Sequence, residues 1–347
     1  MNWKKPAFIL IAFVTLFVVF FFIDEREEDL SEVNFWKIEP DEIRYIPAEE
    51  PNDEFKDFRR ETITMFRKSK GLKEQPVFTI RVKDDKGFES IFEAGYQVKN
   101  LFTELSVIKT KTMTNETPDL LGKFLINEKG SPKIELYSSD KLLKRMILGK
   151  EDKSVRFFAS EKFIISSASY VFNKLKKDGG VLREKQLIFA GEARMQKVEF
   201  VSKEVNLVLE NRSANDMQVN QQVWLKTSNK KAKVNPNSSS RMDGSLKGLM
   251  VELYPDDKDG EGFAKSLEET NKESNSELNI TLANGVKYSI KFFDRVEKKG
   301  QFYYPIIKSI EKEFIESPAY LKENLFISLL ETLKTIRDEP EWIEPKR

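Results

Sequence analysis

Neither histidine nor cysteine occurs anywhere in the 347 residues. Without cysteine there are no disulfides, thiolate nucleophiles, zinc–cysteine sites or iron–sulfur clusters. Without histidine the commonest general base and the commonest transition-metal ligand are missing, which excludes serine triads and zinc hydrolase motifs. No glycine stands in a phosphate-cradling G-x-x-x-x-G-K-S/T, so the chain is not expected to be an ATPase. Lys+Arg 58 against Asp+Glu 57 leaves no basic excess for nucleic acid. No cofactor is expected. Only carboxylate or Ser–Lys chemistry, and calcium held by acids, remain open.

What is present begins with an apolar run, Pro6 to Ile23, PAFILIAFVTLFVVFFFI. At about 1.5 Å per residue it spans roughly 27 Å, close to the hydrocarbon thickness of a bilayer. Trp3, Lys4 and Lys5 precede it and suit the membrane interface; Asp24-Glu25-Arg26-Glu27-Glu28-Asp29 follows. Basic flanks stay cytoplasmic, so the expectation is a single-pass inner-membrane protein with its bulk in the periplasm. The competing reading, a cleaved signal peptide, needs a shorter core and a small-residue cleavage site; this run ends Phe20-Phe21-Phe22-Ile23. Only Ala7, Ala12 and Thr15 are small, which favours tethering over tight helix pairing within the bilayer.

The remaining chain carries most of the 27 Phe and reads as a folded α+β body. Strand patterns at 42–46, 62–66 and 77–82 precede a helix with Val98, Leu101, Phe102 and Leu105 on one face. Strands at 131–137, 144–149, 155–158 and 163–165 follow, then a short helix from Ser167 with Tyr170, Val171 and Leu175 inward. The order recurs. Strands at 197–201, 206–210 and 222–226 lead through a polar loop, 230–244, to Ser245–Met250 in the helix position. Strand 277–282 turns at Asn284-Gly285, a type I′ signal, into 287–292. Strands 301–307 and 309–315 precede a last helix from Ser317-Pro318 that buries Leu321, Leu325, Phe326, Leu329 and Leu333. The expected organisation is an anchor (1–23), an acidic stalk (24–32), two tandem α+β units on antiparallel sheets (33–180 and 181–336) and a polar tail (337–347). Any α+β chain can be parsed in a similar way, so the repeat rests on matched order and spacing.

The anchor, Val33-Asn34-Phe35-Trp36-Lys37-Ile38-Glu39-Pro40-Asp41-Glu42-Ile43, the segment Val98-Lys99-Asn100-Leu101-Phe102-Thr103-Glu104-Leu105, and Met146-Ile147-Leu148-Gly149-Lys150 with Val155-Arg156-Phe157-Phe158 carry a resemblance. Together they resemble the bacterial family called domain of unknown function 4340. That resemblance implies an N-terminal transmembrane segment, repeated units, and partners of the ABC-transporter kind, a permease and an ATPase, in gliding-motility-type systems. It implies no catalytic residues. In the second block 230–244 is longer and 256–262 more acidic than the pattern.

Candidate sites are few. Pro255–Gly262 fails as a calcium loop, because Pro255 and Ser266 fall where acids are needed, and reads as an acidic surface turn. Asp84-Asp85-Lys86-Gly87 and Ser138-Ser139-Asp140-Lys141 read as turns. Phe157, Phe158, Phe302, Tyr303 and Tyr304 occupy equivalent places in the two blocks, as core on one strand face or as an exposed stripe that docks a partner. The function expected is a non-catalytic, membrane-anchored accessory or scaffold subunit of an ABC-type transport or motility-associated envelope complex. A carboxylate-dependent cell-wall hydrolase and a periplasmic ligand-binding domain are the alternatives.

Overall fold

A computed structural model describes residues 33–343, apart from 69–76, 111, 178, 180–181, 189–192, 216–221, 228–231, 256–259 and 312–313. The apolar run, Trp3, Lys4 and Lys5 lie outside the described residues, and no helix among those described is long and apolar enough to cross a membrane.

The first half of the chain runs β1 (Val33–Lys37), β2 (Glu42–Ile46), β3 (Thr62–Lys68), β4 (Val77–Lys83), β5 (Glu89–Glu93) and helix α1 (Tyr96–Ser106). It continues through β6 (Val107–Thr110), β7 (Met113–Asn115), α2 (Pro118–Lys123), β8 (Lys133–Ser138), β9 (Lys141–Asp152), β10 (Val155–Ser160), β11 (Phe163–Ala168) and α3 (Ser169–Asn173). The second half opens with β12 (Met195–Ser202), β13 (Asn206–Asn211), β14 (Trp224–Lys226), β15 (Ala232–Lys233), α4 (Pro236–Lys247), β16 (Val251–Leu253) and α5 (Gly260–Thr270). It closes with β17 (Ser276–Leu282), β18 (Lys287–Phe292), β19 (Val296–Lys298), β20 (Gln301–Ile310), β21 (Phe314–Ile315), β22 (Ala319–Lys322) and α6 (Glu323–Asp338).

The protein is a sheet-rich α+β fold. One sheet orders its strands β5-β4-β3-β2-β8-β9-β10-β11-β7, the other β15-β14-β13-β12-β17-β18-β20-β22-β16, with β19 and β21 also paired to β20. A separate ribbon joins β1 to β6, and all of these pairings are antiparallel. Each large sheet has its earliest strand near the middle, the next three stepping outward on one side. On the other side lie four strands from later in the chain and then, at the edge, a short one: β7, the second strand after α1, in the first sheet and β16, the strand after α4, in the second.

Period-two alternation explains the buried faces. Ile43, Tyr45, Ile63, Met65, Ile80 and Phe92 point inward in the first sheet, under Val98, Leu101, Phe102 and Leu105 of α1. Full burial of each such side chain contributes roughly 1.5–3 kcal/mol. The Trp36 indole N–H donates to the Leu105 carbonyl at 3.0 Å, fixing the ribbon to the end of α1. In the second sheet Val198, Phe200, Leu278, Ile280, Ile290 and Phe292 face Met242 and Leu246 of α4 and Leu329, Leu333 and Ile336 of α6.

Several expectations need correction. The supposed polar loop 230–244 holds most of α4: the Asn235 side chain accepts from the Asn237 N–H, Pro236 opens the helix, and Ser239, Met242 and Leu246 supply a buried stripe. The last helix begins at Glu323, not at Ser317-Pro318. Ser317 is occupied elsewhere, and Leu321 lies in β22 opposite Tyr304 of β20 and Val251 of β16. Residues 301–310 are one strand; the chain leaves it at Glu311, with φ 56°. Tyr170 is 59% exposed while Val171 and Leu175 are buried. At the 282–287 hairpin Gly285 alone has positive φ (89°) and its N–H donates to the Leu282 carbonyl, so the turn is type I with a left-handed glycine. The type I′ geometry is found at Ser139-Asp140, with φ 48° and 65°. Residues 260–262 of the expected acidic turn open α5, and 256–259 lie outside the described residues.

Candidate functional site

An edge strand presents unpaired N–H and C=O groups, and β5 is the edge of the first sheet. Here that edge is covered by residues from far along the chain. The Ser317 N–H donates to the Ile91 carbonyl and the Ile91 N–H to Ser317 Oγ, both at 2.8 Å. The Glu93 N–H donates to Glu316 Oε1 at 2.9 Å. Residues 182–187 form a strap along the same edge: the Glu184 N–H donates to the Glu93 carbonyl and the Gly95 N–H to the Leu182 carbonyl. On its far side the strap meets the edge of the second sheet, through Leu187 N–H to the Leu249 carbonyl and Val251 N–H to the Lys185 carbonyl. The two sheets are thus joined edge to edge through the strap. Gly95 permits the approach, since a Cβ there would lie 3.0 Å from the Arg183 carbonyl oxygen.

At this seam lies a buried ionic triad. Lys308 Nζ, its side chain 1% exposed, is 2.8 Å from Glu93 Oε2 and 3.0 Å from Glu316 Oε1. Tyr288 of β18 lies beside it, with Lys308 Nζ 5.9 Å from the ring centroid. On the strap, the Arg183 guanidinium stacks over Phe92 and Tyr254, at 4.7 and 4.5 Å. Burial works against the Lys308 charge, but Glu316 and Glu93 outweigh it and hold the ammonium protonated beyond its ordinary range. One cation cannot fully compensate two carboxylates. Burial, with Glu93 beside it, therefore pushes the Glu316 carboxyl above the ordinary range despite Lys308.

Two carboxylates side by side are what acid–base hydrolysis would use. Here both are hydrogen-bonded to one buried lysine. A lysine held as ammonium is no nucleophile, so the arrangement acts as a clamp between the sheets.

The raised Glu316 carboxyl has a testable consequence. The native state binds that proton more tightly than the unfolded chain does. Its destabilising effect is complete above the raised value and is relieved as pH falls toward the ordinary carboxylate range. Glu316→Gln keeps an oxygen for the Glu93 N–H and for Lys308 but removes the titration. Urea unfolding should show the variant at least as stable as the wild type at pH 7, with that advantage shrinking as the pH falls toward 5. Parallel stability curves across that interval would rule the assignment out.

Two more buried cations serve structure. Arg156 of β10 reaches the Gly149 carbonyl (2.7 Å), Glu151 (2.8 Å) and Glu54 (3.2 Å), with Phe55 and Phe58 against its guanidinium. Burial of Glu151 is outweighed by Ser169, Arg156 and Lys176, which hold its carboxyl below the usual range. Lys226 donates to the Ile336 and Glu339 carbonyls at the end of α6, where the helix dipole favours a cation. The Glu339 carboxylate in turn accepts from the Asn235 N–H and Ser238 Oγ at the start of α4. The tail expected at 337–347 is therefore held against the fold at Glu339 and at Trp342, whose N–H donates to the Lys233 carbonyl.

The five aromatics are dispersed. Phe158 and Tyr303 are buried, Phe157 stacks on Phe124 at 4.1 Å, and Tyr304 packs on Phe326 at 4.3 Å. Phe302 is exposed, with the Arg295 guanidinium 4.3 Å from its ring centroid. The residues that sequence reasoning missed, Lys308 and Arg156, had a signal: each charge lies on a strand inside an apolar run, Tyr303–Ile310 and Val155–Ala159. Among the described residues no group of three or more acids is placed to hold a metal ion. No protein-family model matches the chain, and no curated protein or solved structure matches it.

Proposed function

We propose that the chain is an accessory scaffold subunit of an ABC-type transport or motility-associated envelope complex. Residues 6–23 anchor it in the inner membrane, and two tandem α+β units lie in the periplasm. The observation that carries this reading is the seam: the buried Lys308, Glu93 and Glu316 are committed to fixing one sheet against the other. A fixed angle between two bodies is a scaffold's requirement. The shared strand order of the two sheets supports descent of both units from one duplicated ancestor. The basic flank before the apolar run and the acidic stalk after it support the orientation.

A reporter active only in the cytoplasm, fused after Arg347, should be silent, and cross-linking in intact cells should retain a permease and an ATPase with the chain. Reporter activity would reverse the orientation. Glycan or peptide hydrolysis by the purified chain, with no membrane partner retained, would replace the scaffold reading by the enzymatic one.

A further inference from the structure

The two ends of the first sheet differ. At β5 it is closed by the strap and by Glu316 and Ser317. The opposite end is β7, with the β1–β6 ribbon beside it: Phe35 of β1 meets Phe163 of β11 edge to face at 6.3 Å. The chain enters the described body here. Val33 lies opposite Thr110, and Met113 follows three residues later, opposite Ile165. These two apolar side chains are 63% and 55% exposed. Lys37 and Lys109 are exposed on the same ribbon, and residues 105–115 contain Lys109 and Lys111 but no acid. Glu116 and Asp119, exposed at the start of α2, are the acids that follow.

Nine residues, Asp24–Glu32, separate Ile23 from Val33. Fully extended, they reach about 30 Å. Eight strand spacings separate β7 from β5, about 38 Å across the sheet. The β1–β7 end is therefore the part of the body held next to the bilayer, with the seam at the far end. Five acids against one Arg in Asp24–Asp29 give the stalk no attraction to anionic headgroups, so an electrostatic contact has to come from the body.

We infer that this end of the first sheet rests on the headgroup layer of an anionic bilayer, with Val33 and Met113 entering the interface and Lys37 and Lys109 reaching lipid phosphates. The span supplies the local concentration that makes so small a contact effective, and the second sheet stands away from the membrane. The inference rests on the anchor reading above.

The absence of cysteine makes the test clean. Met113→Cys, and Lys233→Cys in β15 as the distant control, would each carry an environment-sensitive fluorophore on the full chain in phosphatidylethanolamine–phosphatidylglycerol vesicles. The label at 113 should shift to the blue and be quenched about twofold by a nitroxide at headgroup depth, while the label at 233 stays unchanged. Adding Lys37→Glu and Lys109→Glu should abolish most of that quenching while the chain still floats with the vesicles. Flotation with the 113 label as solvent-exposed as the 233 label overturns the inference alone. Energy transfer between 113 labels on separate copies, in place of lipid quenching, also overturns it and assigns the edge to self-association. Loss of flotation would remove both the anchor reading and this inference.

Discussion

Replacing Lys308 with methionine should lower the unfolding free energy by about 3–5 kcal/mol. Methionine fills much the same volume, so the loss comes from charge. Glu93 and Glu316 would be left as neighbouring buried carboxylates with no cation between them. The seam should yield first, so limited proteolysis should cut the strap at 182–187 in the variant before either sheet unfolds. A triple variant, Lys308→Met with Glu93→Gln and Glu316→Gln, removes every charge and should recover most of the loss, because a buried ionic group adds little net stability over a neutral one. Urea titration of the full chain in detergent decides the matter. A single variant within about 0.5 kcal/mol of wild type would mean that the triad clamps nothing.

Gly149→Ala should cost about 1–3 kcal/mol, a large effect for one methyl group. Gly149 lies in β9, where a Cβ would fall 2.7 Å from the Phe124 carbonyl oxygen and 2.7 Å from Ile126 Cγ1. The Phe124 oxygen accepts from the Lys150 N–H at 2.7 Å, and the Gly149 carbonyl accepts from Arg156. Room for the methyl can come only by moving the 124–126 segment off the sheet, which loosens the satellite core of Ile126, Ala159 and Ile164. Gly244→Ala is the control. No atom lies within 4 Å of its added Cβ, and it sits inside α4, so that change should stabilise by about 0.5–1 kcal/mol. Equal thermal midpoints for the two variants would overturn the packing argument.

Legibility in the sequence followed the physics of each segment. Strands with alternating apolar residues, such as Thr62–Phe66 and Glu277–Leu282, were plain, because burial of one face imposes period two. Helix α1 was equally plain from its four apolar positions. The failures came where local chemistry and tertiary pairing disagree. Pro236–Lys247 is rich in serine and looks like loop, yet three inward residues and a capped start suffice once α6 packs on it. Ser317-Pro318 looks like a helix cap, yet Ser317 pairs with Ile91 some 226 residues away. Nothing local to residue 317 carries that fact. The seam was illegible for the same reason: Glu93, Lys308 and Glu316 are far apart in sequence, and only a lysine stranded in an apolar strand hinted at it.

That separation has a consequence for biosynthesis. Glu93 and Glu316 are 223 residues apart. At about 5–20 residues per second, β5 leaves the ribosome roughly 10–45 seconds before Glu316 and Ser317, which complete the cover of its edge. Throughout that interval the nascent chain displays a strand with open hydrogen-bonding groups and a carboxylate awaiting its cation. A holding chaperone would find its substrate in that half-made protein, and release would be timed by the arrival of Lys308.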